Sequence, residues 1–151
     1  MTSSALVNDA KQLLPELQKI RRDLHQIPEF GLELPKTLAY VVDQVKDLGE
    51  LRVEHDISCA TVLIRGGKPG PTVLLRADMD ALRVDEATGL DFASTNGYMH
   101  ACGHDLHMAL GIGAAKLLYA RRAELQGNIL MFFQSGEEGH GGADRMLERD
   151  M

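Results

Sequence analysis

The segment from Asn128 to Gln134 limits the fold more than any other in the chain. Ile129, Leu130, Met131, Phe132 and Phe133 follow one another without a polar interruption, and Gly127 opens the run. A strand with one wet face alternates apolar and polar residues. A run without alternation reads as a central strand covered on both faces. A chain built around such a strand needs helices to cover it, and the sequence supplies them. Leu6, Ala10, Leu13, Leu14, Leu17, Ile20 and Leu24 recur at spacings of three and four, which predicts an amphipathic helix from about Leu6 to His25, with a boundary or kink at Pro15. Pro35 and Gly49 suit the start and end of a second helix, from Pro35 to about Leu48. A third runs from Asp105, as a candidate cap, to about Arg122, and a short one begins near Ala143. Ala60–Arg65 and Thr72–Arg76 are strand-like, and the short turn-rich link between them predicts an antiparallel pair. The expected fold is α/β: a mixed-sheet layered domain flanked by helices, with no internal repeat and no linker.

Composition narrows the partners. The chain has 151 residues, 44% of them hydrophobic, and a formal net charge of −6. With no basic stripe, nucleic acid is an unexpected partner. No apolar stretch approaches the roughly 20 residues needed to span a bilayer, and the first residues lack a basic start with an apolar run. The expectation is a cytoplasmic protein with no membrane partner. Cys59 and Cys102 are too few for a disulfide scaffold and are expected to be reduced.

Three clusters carry the chemistry. Asp78 and Asp80, one residue apart after a strand, face one site if the strand continues through them, although solvated aspartates at a strand end are the commoner case. His100, Cys102, His104, Asp105 and His107 fall within eight positions. Cys102 and His104 reach a common metal if the backbone turns at Gly103, and a thiolate with an imidazole suits zinc and similar divalent ions. Glu137 and Glu138 are adjacent after the apolar run. Neighbouring carboxylates repel unless a cation or proton separates their roles, and a metal on one leaves the other as general base. Taken alone, an acidic loop is solvated. His140 completes no zinc-helix motif, and His25, His55 and Cys59 read as structural or surface residues.

Together the clusters resemble one family. Arg21–Glu29, Lys36-Thr37, Arg76–Leu82, Met99–His107, Glu137-Glu138 and Gly141–Ala143 are similar to segments of the metal-dependent aminoacylase, hippurate hydrolase and carboxypeptidase family. They stand nearest the branch of bacterial N-acyl-amino-acid hydrolases and plant auxin-conjugate hydrolases. The resemblance implies hydrolysis of the amide bond of a small N-acyl amino acid with two divalent ions, zinc, manganese, cobalt or nickel. It implies that Cys102 bridges the ions, that His104 and Glu138 are ligands, that Glu137 is the general base and that Asp80 orients a ligand.

Two departures stand out. Arg83 occupies a place where the family usually has proline. The family also takes two further histidine ligands, and a lid or dimerisation domain, from sequence later than Met151. The resemblance therefore implies that residues 1–151 are the N-terminal portion of a catalytic domain, inactive alone. The alternative is a non-catalytic metal-binding or self-association module, with an exposed sheet edge favouring a homo-oligomer.

Overall fold

A computed structural model describes residues 3–151. Its elements are α1 (Ser3–His25), α2 (Pro35–Val45), β1 (Glu50–Glu54), β2 (Cys59–Arg65), β3 (Lys68–Asp78), α3 (His104–Ala120), a 3-10 turn at Arg122–Glu124, β4 (Gln126–Gln134) and α4 (Gly142–Leu147). The strands form one mixed sheet in the order β1-β2-β4-β3. β1 is antiparallel to β2, β2 is antiparallel to β4, and β3 is parallel to β4. The sheet is thus α/β and mixed, as its sequence implies, and the apolar run is an interior strand.

Alternation along the strands divides the core. Ala60, Val62, Ile64, Met131, Phe133 and Ala77 point to one face, against Ile20 and Leu24 of α1, Leu38, Val41 and Val45 of α2, and Met108, Ile112 and Ala115 of α3. Cys59 and Phe132 point to the other face, against Ile57 and Met146 of α4. Only part of this second face is covered: Leu130 is half-buried and, beside it on β3, Leu74 is about half exposed.

The expected antiparallel pairing of Ala60–Arg65 with Thr72–Arg76 does not occur, because β4 lies between them. Glycines make this possible. A Cβ on Gly66 would meet the Gly127 carbonyl oxygen at 2.0 Å, and one on Gly127, where φ is +88°, would meet the Pro71 oxygen at 1.9 Å. The link therefore crosses the start of β4 at backbone contact, and β2 and β3 flank that strand. The most apolar run gains two hydrogen-bonded neighbours, which a sequence-local hairpin would deny it. β1 shows no strong period and was not foreseen.

Helix limits also differ. α1 runs through Pro15 without a break. Proline deprives the Lys11 carbonyl of its donor, but both residues lie on the exposed face of the helix, where the loss is tolerated. α2 ends at Val45, short of Leu48. α3 is capped by Gly103 in a left-handed conformation rather than by Asp105, which turns toward α1 instead. No helix among the described residues is long and apolar enough to cross a membrane.

Candidate metal centre

The site forms where the ends of β3 and β4 meet the start of α3. Gly103, at φ +81°, is the turn that lets Cys102 and His104 face the same point. One donor atom each from Cys102, His104 and Glu138 lies within 4.8 Å of the others. Thiol, imidazole and carboxylate together form a donor set suited to a divalent ion such as zinc.

Asp80 organises the centre. It is buried, and each carboxylate oxygen accepts one backbone N–H of the glutamate pair: Oδ1 from Glu137 at 3.0 Å and Oδ2 from Glu138 at 3.1 Å. Its carbonyl oxygen lies 2.7 Å from His104 Nδ1. A carbonyl only accepts, so Nδ1 carries the proton and Nε2 presents its lone pair. That nitrogen faces the glutamates, 3.7 Å from Glu137 Oε2 and 4.0 Å from Glu138 Oε1. The Asp80 carboxylate thus contacts the two glutamate amides and, through Oδ1 at 3.7 Å, His104 Nδ1.

Two observations test whether a cation fits. Glu138 Oε1 is buried and accepts no hydrogen bond, although buried carboxylate oxygens ordinarily find donors. The Cys102 thiol is held above its ordinary range by the neighbouring Glu138 carboxylate, then by burial and by the charges of Glu137 and Asp78. A cation among these groups would oppose every one of the charge effects. The residues fit a metal ion.

The remaining histidines and acids lie around this centre. Asp78, the last residue of β3, has partners different from those of Asp80. Its Oδ2 accepts from Arg76 at 3.0 Å and lies 3.2 Å from His107 Nδ1. His100 is buried with neither ring nitrogen hydrogen-bonded, and burial pushes its imidazole down to about 4. His140 packs edge-on against Phe30, with ring centroids 4.7 Å apart, outside the three-donor group. His55 sits in the turn after β1 and is exposed. Cys59 is buried at the start of β2, and burial together with the Glu54 charge pushes its thiol up to about 12. Both cysteines are free.

His25 was not expected at the heart of the structure. It is buried on α1, with Nδ1 2.8 Å from Asp105 Oδ2 and Nε2 3.0 Å from Glu86 Oε1. Arg21 Nε donates to the same Asp105 oxygen at 2.7 Å. This network fastens α1 to the first turn of α3, one residue from His104. Burial favours the neutral form of Glu86, yet hydrogen bonds from Thr88, His25 and Ser94 hold its carboxyl down to about 2. The only sequence signal for this network is the spacing of Arg21 and His25, which share one helix face.

Comparison with known proteins adds to the geometry. A family described as Peptidase family M20/M25/M40 matches residues 74–151. The chain is 42% identical over 139 residues to an N-acetyldiaminopimelate deacetylase of Priestia megaterium, covering 90% of this chain and 36% of that protein. It is 43% identical over 149 residues to thermostable carboxypeptidase 1 of Saccharolobus solfataricus, covering 95% and 38%. Among solved structures, it is similar to a dinuclear metal-binding peptidase of Bacillus subtilis, with a TM-score of 0.87 and 40% identity over 93% of this chain and 40% of that one. The chain thus spans little more than a third of the length of these curated relatives.

Proposed function

The chain belongs to peptidase family M20/M25/M40, and from that premise we propose that its metal centre serves hydrolysis of the amide bond of N-acyl amino acids. The observation that carries the reading is the convergence of Cys102, His104 and Glu138 beside Glu137. Cys102, His104 and Glu138 would hold the metal. Bound divalent ions, drawn from zinc, manganese, cobalt or nickel, would acidify a water and polarise the amide carbonyl. Glu137 Oε2 takes the proton of the attacking water and returns it to the departing amine nitrogen. Asp80 holds the glutamate pair through its backbone and keeps the His104 lone pair turned inward.

Names of the relatives support the substrate class. One is a deacetylase of an N-acetylated diamino acid and the other a carboxypeptidase, and both names describe cleavage of an amide next to an amino acid. Aminoacylase- and hippurate-type substrates belong to the same chemistry. We read residues 1–151 as the N-terminal portion of the catalytic domain, with further ligands and the lid domain supplied by sequence outside it. The isolated chain is then inactive.

Elemental analysis of the purified chain, with Cys102→Ser as control, tests the metal assignment. Divalent metal bound by the parent and lost in the variant supports it. Metal content equal in the two overturns it.

A second reading is a self-associating module, favoured by the open edge at β3. Val73 and Leu74 stand on opposite faces of that strand and both are about half exposed. Unpaired edge groups flanked by apolar side chains favour pairing with a second copy.

A further inference from the structure

A cleft of about 390 Å³ lies outside the three-donor group, lined by Phe30, Leu32, Glu33, Arg83, Tyr98 and His140. Its walls continue the segments that build the metal centre. Arg83 is three residues after Asp80, His140 is two after Glu138, and Tyr98 is four before Cys102. Two to four residues of chain reach at most about 7–14 Å. Isolated bridges between Phe30 and Ala81, and between Leu82 and Met99, tie the walls together.

The apolar part is a pair of rings. Phe30 and Tyr98 are stacked, with centroids 6.2 Å apart and planes 6° from parallel. The polar part is unspent. The Arg83 guanidinium lies over the Phe30 ring at 4.3 Å but has no carboxylate partner among the described residues. The Tyr98 hydroxyl has no hydrogen-bond partner among them, and His140 Nδ1 is buried without one. Glu33 is exposed at the rim and forms no ion pair with Arg83 or any other cation of the described residues. A cation and an anion that share a cleft without meeting complement a ligand that carries both charges. Arg83 offers a planar fork to a carboxylate, and Glu33 offers an acceptor to an ammonium group.

We infer that this cleft is a specificity subsite for a free α-amino-acid head, a carboxylate and an ammonium on one carbon, at the end of a substrate opposite its acyl amide. Arg83 and Tyr98 hold the carboxylate, Glu33 holds the ammonium, and the aliphatic stem lies against the Leu32 side of the cleft. The stem carries the amide toward Glu137. The assignment of the amide end rests on the proposed hydrolase function, whereas recognition of the head rests on the cleft alone. Arg83 places a fixed positive charge in the cleft.

The test is an NMR titration of the 151-residue chain with Nε-acetyl-lysine, which carries an acyl amide at one end and the head at the other. Three comparison ligands lack part of the head: 6-acetamidohexanoate lacks the ammonium, 5-acetamidopentylamine the carboxylate, and N-pentylacetamide both. Saturable shifts at Glu33, Arg83, Tyr98 and His140 are expected with Nε-acetyl-lysine, and progressively weaker binding with the others. Arg83→Ala weakens Nε-acetyl-lysine binding by about tenfold or more, and Glu33→Gln weakens it while sparing 6-acetamidohexanoate. Both side chains are exposed, so the variants fold. No saturable shift in the cleft, or equal binding by Arg83→Ala, overturns the subsite. A zinc titration of the same sample, followed at Cys102 and His104, reads the metal centre separately. Zinc binding with a silent cleft removes the subsite alone, whereas a responsive cleft without zinc binding upholds the subsite and removes the metal assignment.

Discussion

Asp80→Asn probes the centre with the least change of shape. The parent carboxylate accepts two backbone N–H groups, at 3.0 and 3.1 Å, from a buried position. A hydrogen bond to a charged group contributes about 1.5–3 kcal/mol, and a neutral one about 0.5–1.5 kcal/mol. Asparagine keeps one oxygen acceptor, so one bond survives at neutral strength. The other N–H then faces an NH₂ group and loses its acceptor in a buried place. The sum is a loss of about 2–4 kcal/mol. For a chain of this size, each kcal/mol moves the melting temperature by about 2–4 °C, so the expected drop is about 4–16 °C. The loop that carries Glu137 and Glu138 is also released, and loss of such supporting contacts ordinarily costs about 10–100-fold in metal affinity. Thermal unfolding by circular dichroism and zinc calorimetry read the two effects. Asp47→Asn, at an exposed site, serves as the control and stays within about 0.5 kcal/mol of the parent. Melting and zinc affinity of Asp80→Asn indistinguishable from the control would show that Asp80 does not brace the site.

Other substitutions separate the remaining roles. Glu138→Gln weakens zinc binding, whereas Glu137→Gln leaves it close to the parent value, because only the first is placed as a ligand; calorimetry that finds the opposite order would reverse the two assignments. Glu86 titrates near 2 in the fold against an ordinary 4.5, so its stabilisation is complete above about pH 4.5 and is lost as pH falls through 2. The stability gap between the parent and Glu86→Gln, measured by urea unfolding at pH 7, 4 and 2.5, therefore narrows with acid, and a constant gap contradicts this. Gly142→Ala puts a Cβ 1.6 Å from the Ser135 carbonyl oxygen; the forced shift costs about 1–3 kcal/mol or more, read as a lower urea midpoint, and an unchanged midpoint counts against the close approach. Leu74→Lys charges the open edge of β3, and sedimentation velocity should show less self-association than in the parent chain.

Local pattern was enough for much of this protein. Five unbroken apolar residues from Ile129 to Phe133 mark an interior strand, because that placement covers most of the run on both faces. Leucine spacing marks α1, and Pro35 marks the start of α2. The turn at Gly103 that brings Cys102 and His104 together was legible, since their spacing is local and one glycine sets the geometry. What lay beyond reach was pairing across distance. β2 and β3 are joined by a short link, yet β4, some 60 residues later, inserts between them. That choice depends on total burial and on glycines that touch only after the sheet forms. Asp78 and Asp80 look equivalent in sequence, but the end of β3 sends one to Arg76 and His107 and the other to the glutamate amides. His25, Glu86 and Asp105 are spread over 81 positions of sequence and meet only because α1 packs on α3. Local sequence encodes which groups are present and how the backbone turns beside them. Only the tertiary structure decides which buried charges become partners, because desolvation penalises each until the packed chain supplies its counterpart.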